Sequence, residues 1–153
     1  MNQAHLTWFS NYLKEIYQTP VLEDFLGLQV GEVLEGKVTL SSKIAGKHCN
    51  IYGSVHGGAL SSISDVAMGF ACVTLGRRIV TLDQNISFIK SVPAGSTLTT
   101  VAEVISNGNT IMRTAAEIFD EQQQLIARSH ASFFVIGDFN EKDYPQPMIL
   151  ENK

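Results

Sequence analysis

Apolar residues first recur at helical spacing between Gln3 and Gln18, where Leu6, Phe9, Leu13, Ile16 and Tyr17 fall on one side. This predicts an amphipathic helix over 3–18, stopped before Pro20, because the residue preceding a proline is pushed out of helical backbone. Val21 to Leu26 reads as a further helical turn. From Gly27 the period shortens. Leu28, Val30, Val33, Leu34, Val38 and Leu40 flank Glu35-Gly36, which predicts a hairpin or a bulged strand. Ser41 to Ser54 is a polar loop carrying Lys43, Lys47, His48 and Asn50, and His56-Gly57-Gly58 follows it. From Ala59 to Leu75, Leu60, Ile63, Ala67, Phe70, Ala71 and Leu75 return at three- and four-residue steps, the mark of a second helix. Its other positions are largely small (Ser61, Ser62, Ser64, Gly69), and Asp65 is its only charge. Such a helix is expected to be buried on most sides.

Everything after Gly76 reads as strand. Ile79 to Ile89 is rich in β-branched residues, and Leu98 to Ser106 alternates. Asn107-Gly108 separates that run from Thr110 to Phe119 and is a strong hairpin signal. Asp120 to Gln123 turns the chain into a last strand, Leu125 to Ile136. The tail over 137–153 is polar, holds Pro145 and Pro147, and is expected to be loose. The elements imply an α+β fold in one domain spanning 1–153, with a core over about 20–136. One long central helix would be wrapped by an antiparallel meander of strands. The sheet edge and outer helix surface would then need cover, so a dimer or a dimer of dimers is expected.

Composition narrows the function classes. The chain has 153 residues, is 44% hydrophobic and carries a net charge of -4 with no Lys/Arg run. That argues for a packed core and against binding to nucleic acid or an anionic membrane. The two cysteines, Cys49 and Cys72, match neither a disulfide framework nor a zinc motif. His48, Cys49 and His56 do not have the spacing of a metal site, so no metal is expected. Met1 to Pro20 lacks a basic start followed by an unbroken apolar stretch, and no apolar run reaches membrane-spanning length. A cytoplasmic protein with reduced thiols is the expectation.

Two features carry candidate chemistry. An ionised Asp65 inside a buried helix is costly unless paired, and no Lys or Arg lies three or four residues away. It could be satisfied by neighbouring serines, or it could be a reactive carboxylate. Gly57-Gly58 open the helix, where backbone N–H groups lack intrahelical acceptors and the dipole favours negative charge. Glycine there could serve only a tight turn, or could let a carbonyl approach donors that stabilise an oxyanion. Eight residues of helix separate Gly57 from Asp65, about 12 Å along the axis. One chain therefore cannot bring both to one carbonyl, whereas a twofold-related second chain could.

The combined motif Asn50-x5-His56-Gly57-Gly58-x6-Asp65-x3-Gly69 resembles the signature of the hotdog-fold acyl-CoA thioesterases, nearest their phenylacetyl-CoA thioesterase-like branch in the 4-hydroxybenzoyl-CoA thioesterase superfamily. Phe25-Leu26-Gly27-Leu28, the run Thr81 to Lys90, Pro93-Ala94-Gly95 and Leu125-Ile126-Ala127 extend the similarity over about 20–136. The resemblance implies hydrolysis of acyl-CoA to free acid and CoA by a homo-oligomer whose sites are shared between chains. No cofactor is implied, since CoA belongs to the substrate. Asp65 would be nucleophile or general base, and the Gly57 N–H the oxyanion hole. Asn50 would position water or thioester, and Thr81 would stand near the leaving group or water. His56 would organise the loop and helix start rather than act as a base, and His56 and Gly58 would border the bound substrate. Arg77, Arg78, Lys90 and Arg113 are candidate partners for the CoA phosphates. Ser129 to Phe134 lacks the basic residues of relatives at this point, so carrier-protein thioesters stay open as substrates. A non-catalytic acyl-CoA sensor is the rival reading. Asp65 speaks against it, because a pure binder needs no carboxylate at the thioester. A hotdog dehydratase would need a His–acid pair that the sequence does not offer.

Overall fold

The computed structural model describes residues 3–144. Its elements are α1 (Gln3–Ile16), α2 (Leu22–Phe25), β1 (Leu28–Leu34), β2 (Lys37–Lys43), α3 (Gly57–Val73), β3 (Arg77–Phe88), β4 (Thr97–Asn107), β5 (Ile111–Phe119) and β6 (Leu125–Asp138), with short 3-10 turns at Gly46–His48 and Glu141–Asp143. The strands form one six-stranded sheet in the order β1-β2-β4-β5-β6-β3, with every pairing antiparallel. Helix α3 packs on one face of it against β2, β3, β4 and β5. This is the hotdog arrangement that the sequence implies.

The strand order departs from a simple meander. β3 pairs with β6 rather than with β4, its successor in the chain. The chain leaves the sheet after β2, crosses its face as α3 and re-enters at the far edge. β4 then returns to lie beside β2. The two edges are therefore β1 and β3. On and just beyond β3, Val80, Leu82, Phe88 and Ile89 are exposed apolar side chains.

The core forms where the apolar stripe of α3 meets the inward positions of the strands. Leu60, Ile63, Ala67, Met68 and Ala71 are buried with Val38, Leu40, Leu98, Ala102, Met112, Ile126 and Phe133. The helix is not buried all round: Ser61, Ser62, Asp65 and Val66 stay partly exposed. Helix α1 lies against β1 and reaches α3 through its aromatics. Phe9 packs edge-on to Phe70 with centroids 5.5 Å apart, and Tyr17 lies 6.0 Å from the same ring.

The segment beyond Gly137, expected to be loose, is held as far as Tyr144. β6 continues to Asp138, and the Phe139 N–H donates to the Gly76 carbonyl at 2.8 Å. The Phe139 ring then sits 5.4 Å from Trp8, and Tyr144 sits 5.4 Å from Tyr12. Aromatic burial against α1 outweighs the polar composition of this stretch. The remainder, 145–153, with Pro145 and Pro147, lies outside the described residues. Among the described residues no helix is long and apolar enough to cross a membrane.

One irregularity positions the site. The β3–β6 register shifts between Thr81 and Asp83, which makes Leu82 a bulge residue. Side chains alternate along a regular strand, so residues 81 and 84 would face opposite ways. The extra residue resets the alternation. Thr81 and Gln84 both reach α3, and Phe88 arrives at the start of that helix.

Candidate active site

The loop before α3 is organised by His48. Its Nδ1 accepts from the Ala45 N–H at 2.9 Å, which leaves Nε2 to donate to the Phe25 carbonyl at 2.5 Å. The His48 carbonyl in turn accepts the His56 N–H at 2.8 Å. This buried histidine is thus a strut of the loop. Asn50 closes the loop tip, its Oδ1 accepting from the Tyr52 N–H at 2.9 Å and the Ser54 N–H at 3.3 Å. That Asx turn uses the amide oxygen and leaves Nδ2 for other partners.

His56 caps α3. Its Nδ1 accepts the Gly58 N–H at 2.8 Å, while its carbonyl accepts the N–H groups of Ala59 and Leu60. Gly58, expected beside substrate, therefore has its donor committed to the cap. Among the described residues, the Gly57 N–H has no acceptor. It is the donor at this helix start that can serve a ligand.

Asp65 lies two turns further along α3. Thr81 on β3 donates its hydroxyl to Asp65 Oδ1 at 3.0 Å. Burial pushes the Asp65 carboxyl above the ordinary carboxylate range, and the Thr81 hydrogen bond offsets part of that rise. Beside it, Gln84 Nε2 donates to the Ser61 carbonyl at 3.0 Å and to Ser64 Oγ at 2.7 Å. These bonds fasten the middle of β3 to α3. Sequence reasoning missed Gln84, since an uncharged amide in a strand gives no pattern and the bulge hides which face it takes.

The structure brings Asp65 and Thr81 together. His56 and Gly57 stand at the other end of the helix segment, and Asn50 lies in the loop that leads into it. Asp65 and Gly57 are not brought together within one chain. A cleft of about 240 Å³ opens beside Gly57, between Val55, Leu60, Phe88, Ile89, Lys90 and Ser91. The candidate phosphate-binding cations are engaged. Arg77 bonds Asp138 and Asn109, each at 3.4 Å, and Arg78 bonds Asp143 at 3.4 Å. Lys90 lies 3.5 Å from buried Asp120 and also donates to Gln124. Arg113 donates to Ser132 Oγ at 2.5 Å. Of these, Lys90 reaches the cleft. Among the described residues, no cluster of His, Cys, Asp and Glu could hold a metal ion.

The helix-wrapped sheet has counterparts among known proteins. The sequence profile of the thioesterase superfamily matches residues 52–127, the stretch that carries Gly57, Asp65 and Thr81. This chain belongs to that superfamily. The acyl-coenzyme A thioesterase PaaI of Escherichia coli is 28% identical to this thioesterase-superfamily chain over 134 residues, which is 88% of this chain and 94% of PaaI. The solved structure of the E. coli PaaI protein from the phenylacetic acid degradation operon matches with a TM-score of 0.80 at 27% identity, covering 90% of this chain and 98% of that one. A Streptococcus mutans protein solved bound to acetyl CoA matches with a TM-score of 0.73 at 25% identity, covering 74% and 91%.

Proposed function

We propose that this chain hydrolyses acyl-CoA thioesters to the free acid and CoA, with Asp65 as the reactive carboxylate and the Gly57 N–H as the oxyanion donor. The observation that carries the reading is the half-buried Asp65, which accepts the Thr81 hydroxyl of β3 and lies on the helix whose first N–H, at Gly57, has no acceptor among the described residues. Two relatives support it: E. coli PaaI is an acyl-CoA thioesterase, and the S. mutans neighbour holds acetyl CoA.

The chemistry follows from these groups. Attack at the thioester carbonyl builds negative charge on oxygen, and a preorganised N–H at a helix N-terminus meets that charge without reorganisation. Asp65 either takes a proton from the attacking water or attacks the carbonyl itself, giving a mixed anhydride that water then cleaves. A carboxyl raised by burial is a stronger base than an ordinary carboxylate, which suits both routes. CoA leaves as a thiolate, a far better leaving group than an alkoxide, so no dedicated acid is needed. Asn50 Nδ2 would orient water or thioester, and Thr81 would hold the carboxylate. No cofactor takes part.

The separation of about 12 Å along α3 leads us to propose a shared site in a homo-oligomer, with Asp65 of one protomer working against the partner's Gly57. The exposed apolar edge of β3 offers a surface for that pairing. The test is release of free thiol from a panel of acyl-CoAs, run beside the matching carrier-protein thioesters. Turnover of acyl-CoA is expected. Tight binding of acyl-CoA without thiol release would instead favour a sensor, and turnover of carrier-protein thioesters alone would move the substrate class.

A further inference from the structure

We infer that Phe88 sets which acyl groups the site accepts, excluding those branched at the carbon next to the thioester carbonyl. The inference rests on the proposed oxyanion role of Gly57. A Cβ placed on Gly57 would lie 3.0, 3.3 and 3.4 Å from three carbons of the Phe88 ring. The ring is therefore seated directly against Gly57, in space that any other residue at position 57 would contest. A carbonyl oxygen bound to the Gly57 N–H brings its own α-carbon within a few bond lengths of that ring. Substituents on the α-carbon must then share the cleft formed by Val55, Leu60, Phe88 and Ile89.

The ring also has the rigidity that a selector needs. The Leu82 bulge fixes the side of β3 on which Phe88 projects. Just beyond it, the N–H groups of Ile89 and Lys90 both donate to the Ile126 carbonyl, at 2.9 and 3.1 Å. The backbone that carries the ring is thus pinned on β6. A large aromatic seated against Gly57, whose N–H has no acceptor among the described residues, and lining the cleft beside it, is a wall for a ligand bound there. A straight chain can run along a flat ring, whereas an α-methyl branch meets it.

The test compares straight-chain acyl-CoA with its 2-methyl-branched counterpart, at the chain length that wild type hydrolyses fastest. Wild type should favour the straight chain in kcat/KM. Phe88→Ala should lower that preference by about 10-fold or more, the scale at which hydrophobic pockets discriminate single methyl groups. Phe88→Leu, which keeps an apolar side chain in place, should give an intermediate ratio, and thermal melts of both variants report folding. If the two substrates change in parallel in both variants, Phe88 is not the selector. If wild type releases thiol from no acyl-CoA, the thioesterase reading fails, and this inference fails with it.

Discussion

Thr81 on β3 donates to Asp65 on α3 across 3.0 Å, and this bond links the candidate carboxylate to the sheet edge. It exists because the strand is still in its first alternation at Thr81, one residue before the bulge at Leu82. The bond leaves the second carboxylate oxygen of Asp65 for water or substrate.

Removing that donor should misplace the carboxylate. Thr81→Ala is expected to lower kcat by roughly 10- to 100-fold, matching the ~1.5–3 kcal/mol of a hydrogen bond to a charged group. Thr81→Ser keeps the hydroxyl and should retain most of the activity. Steady-state kinetics on both variants decide it: equal losses in Ala and Ser would mean that the methyl group, not the hydroxyl, matters.

Asp65 should also cost stability at neutral pH. Burial raises its carboxyl above the ordinary range, so the native state holds the proton to a higher pH than the unfolded chain. Stability then falls as pH rises through the window between the two pKa values, and the deficit remains above it. Below the ordinary carboxylate value both states are protonated and the cost vanishes. Asp65→Asn should therefore melt higher than wild type at neutral pH, with the gap closing in acid. The acid limb of the wild-type kcat/KM profile should have its midpoint above the ordinary carboxylate value. A variant that melts no higher than wild type at neutral pH would contradict this reading.

The fold was legible in sequence wherever one period ran unbroken. The three- and four-residue steps from Leu60 to Ala71 marked the central helix, and Asn107-Gly108 marked the turn between β4 and β5. The place of β3 was not legible. Local alternation says nothing about which strand a residue pairs with, and the crossover through α3 carries β3 to the far edge. Asp65 could be singled out because a lone charge on an apolar helix is conspicuous. Gln84 could not, because its role depends on a bulge that only register reveals. The fate of Arg77 and Arg78 was equally hidden, since Asp138 and Asp143 lie some sixty residues away. The hold on Phe139 was missed because a polar tail obscured two aromatics.

Gln84 should act as a positioning residue. Gln84→Leu removes both bonds to α3 and leaves the Ser64 hydroxyl and Ser61 carbonyl one partner short. The expected cost is about 1–3 kcal/mol, or a fall of several degrees in Tm for a domain of this size. If Gln84 serves position as well as stability, kcat should fall while KM changes little, and Gln84→Glu should not restore the donor. A variant with unchanged Tm and kcat would show that the two bonds contribute nothing.

A shared site predicts complementation between damaged chains. Gly57→Val should block the oxyanion donor and crowd Phe88, and Asp65→Ala should remove the carboxylate, so each alone should be nearly inactive. In a mixed dimer one site carries both lesions and the other carries neither. Random pairing makes half the dimers mixed, so coexpression should recover roughly a quarter of wild-type activity. Isolating the mixed dimer with two tags controls for failed exchange. An inactive mixed dimer would place Gly57 and Asp65 of one chain in one site.

The most direct measurement is thioester turnover by Asp65→Asn alongside acyl-CoA binding by the same variant. Asparagine keeps the shape and can still accept from Thr81, but it can neither take a proton nor attack. Turnover should fall by at least ~100-fold, the lower end for loss of a general base, with acyl-CoA affinity close to wild type. An Asp65→Asn protein that binds acyl-CoA and still hydrolyses it at a near wild-type rate would contradict the assignment of Asp65 as the reactive carboxylate.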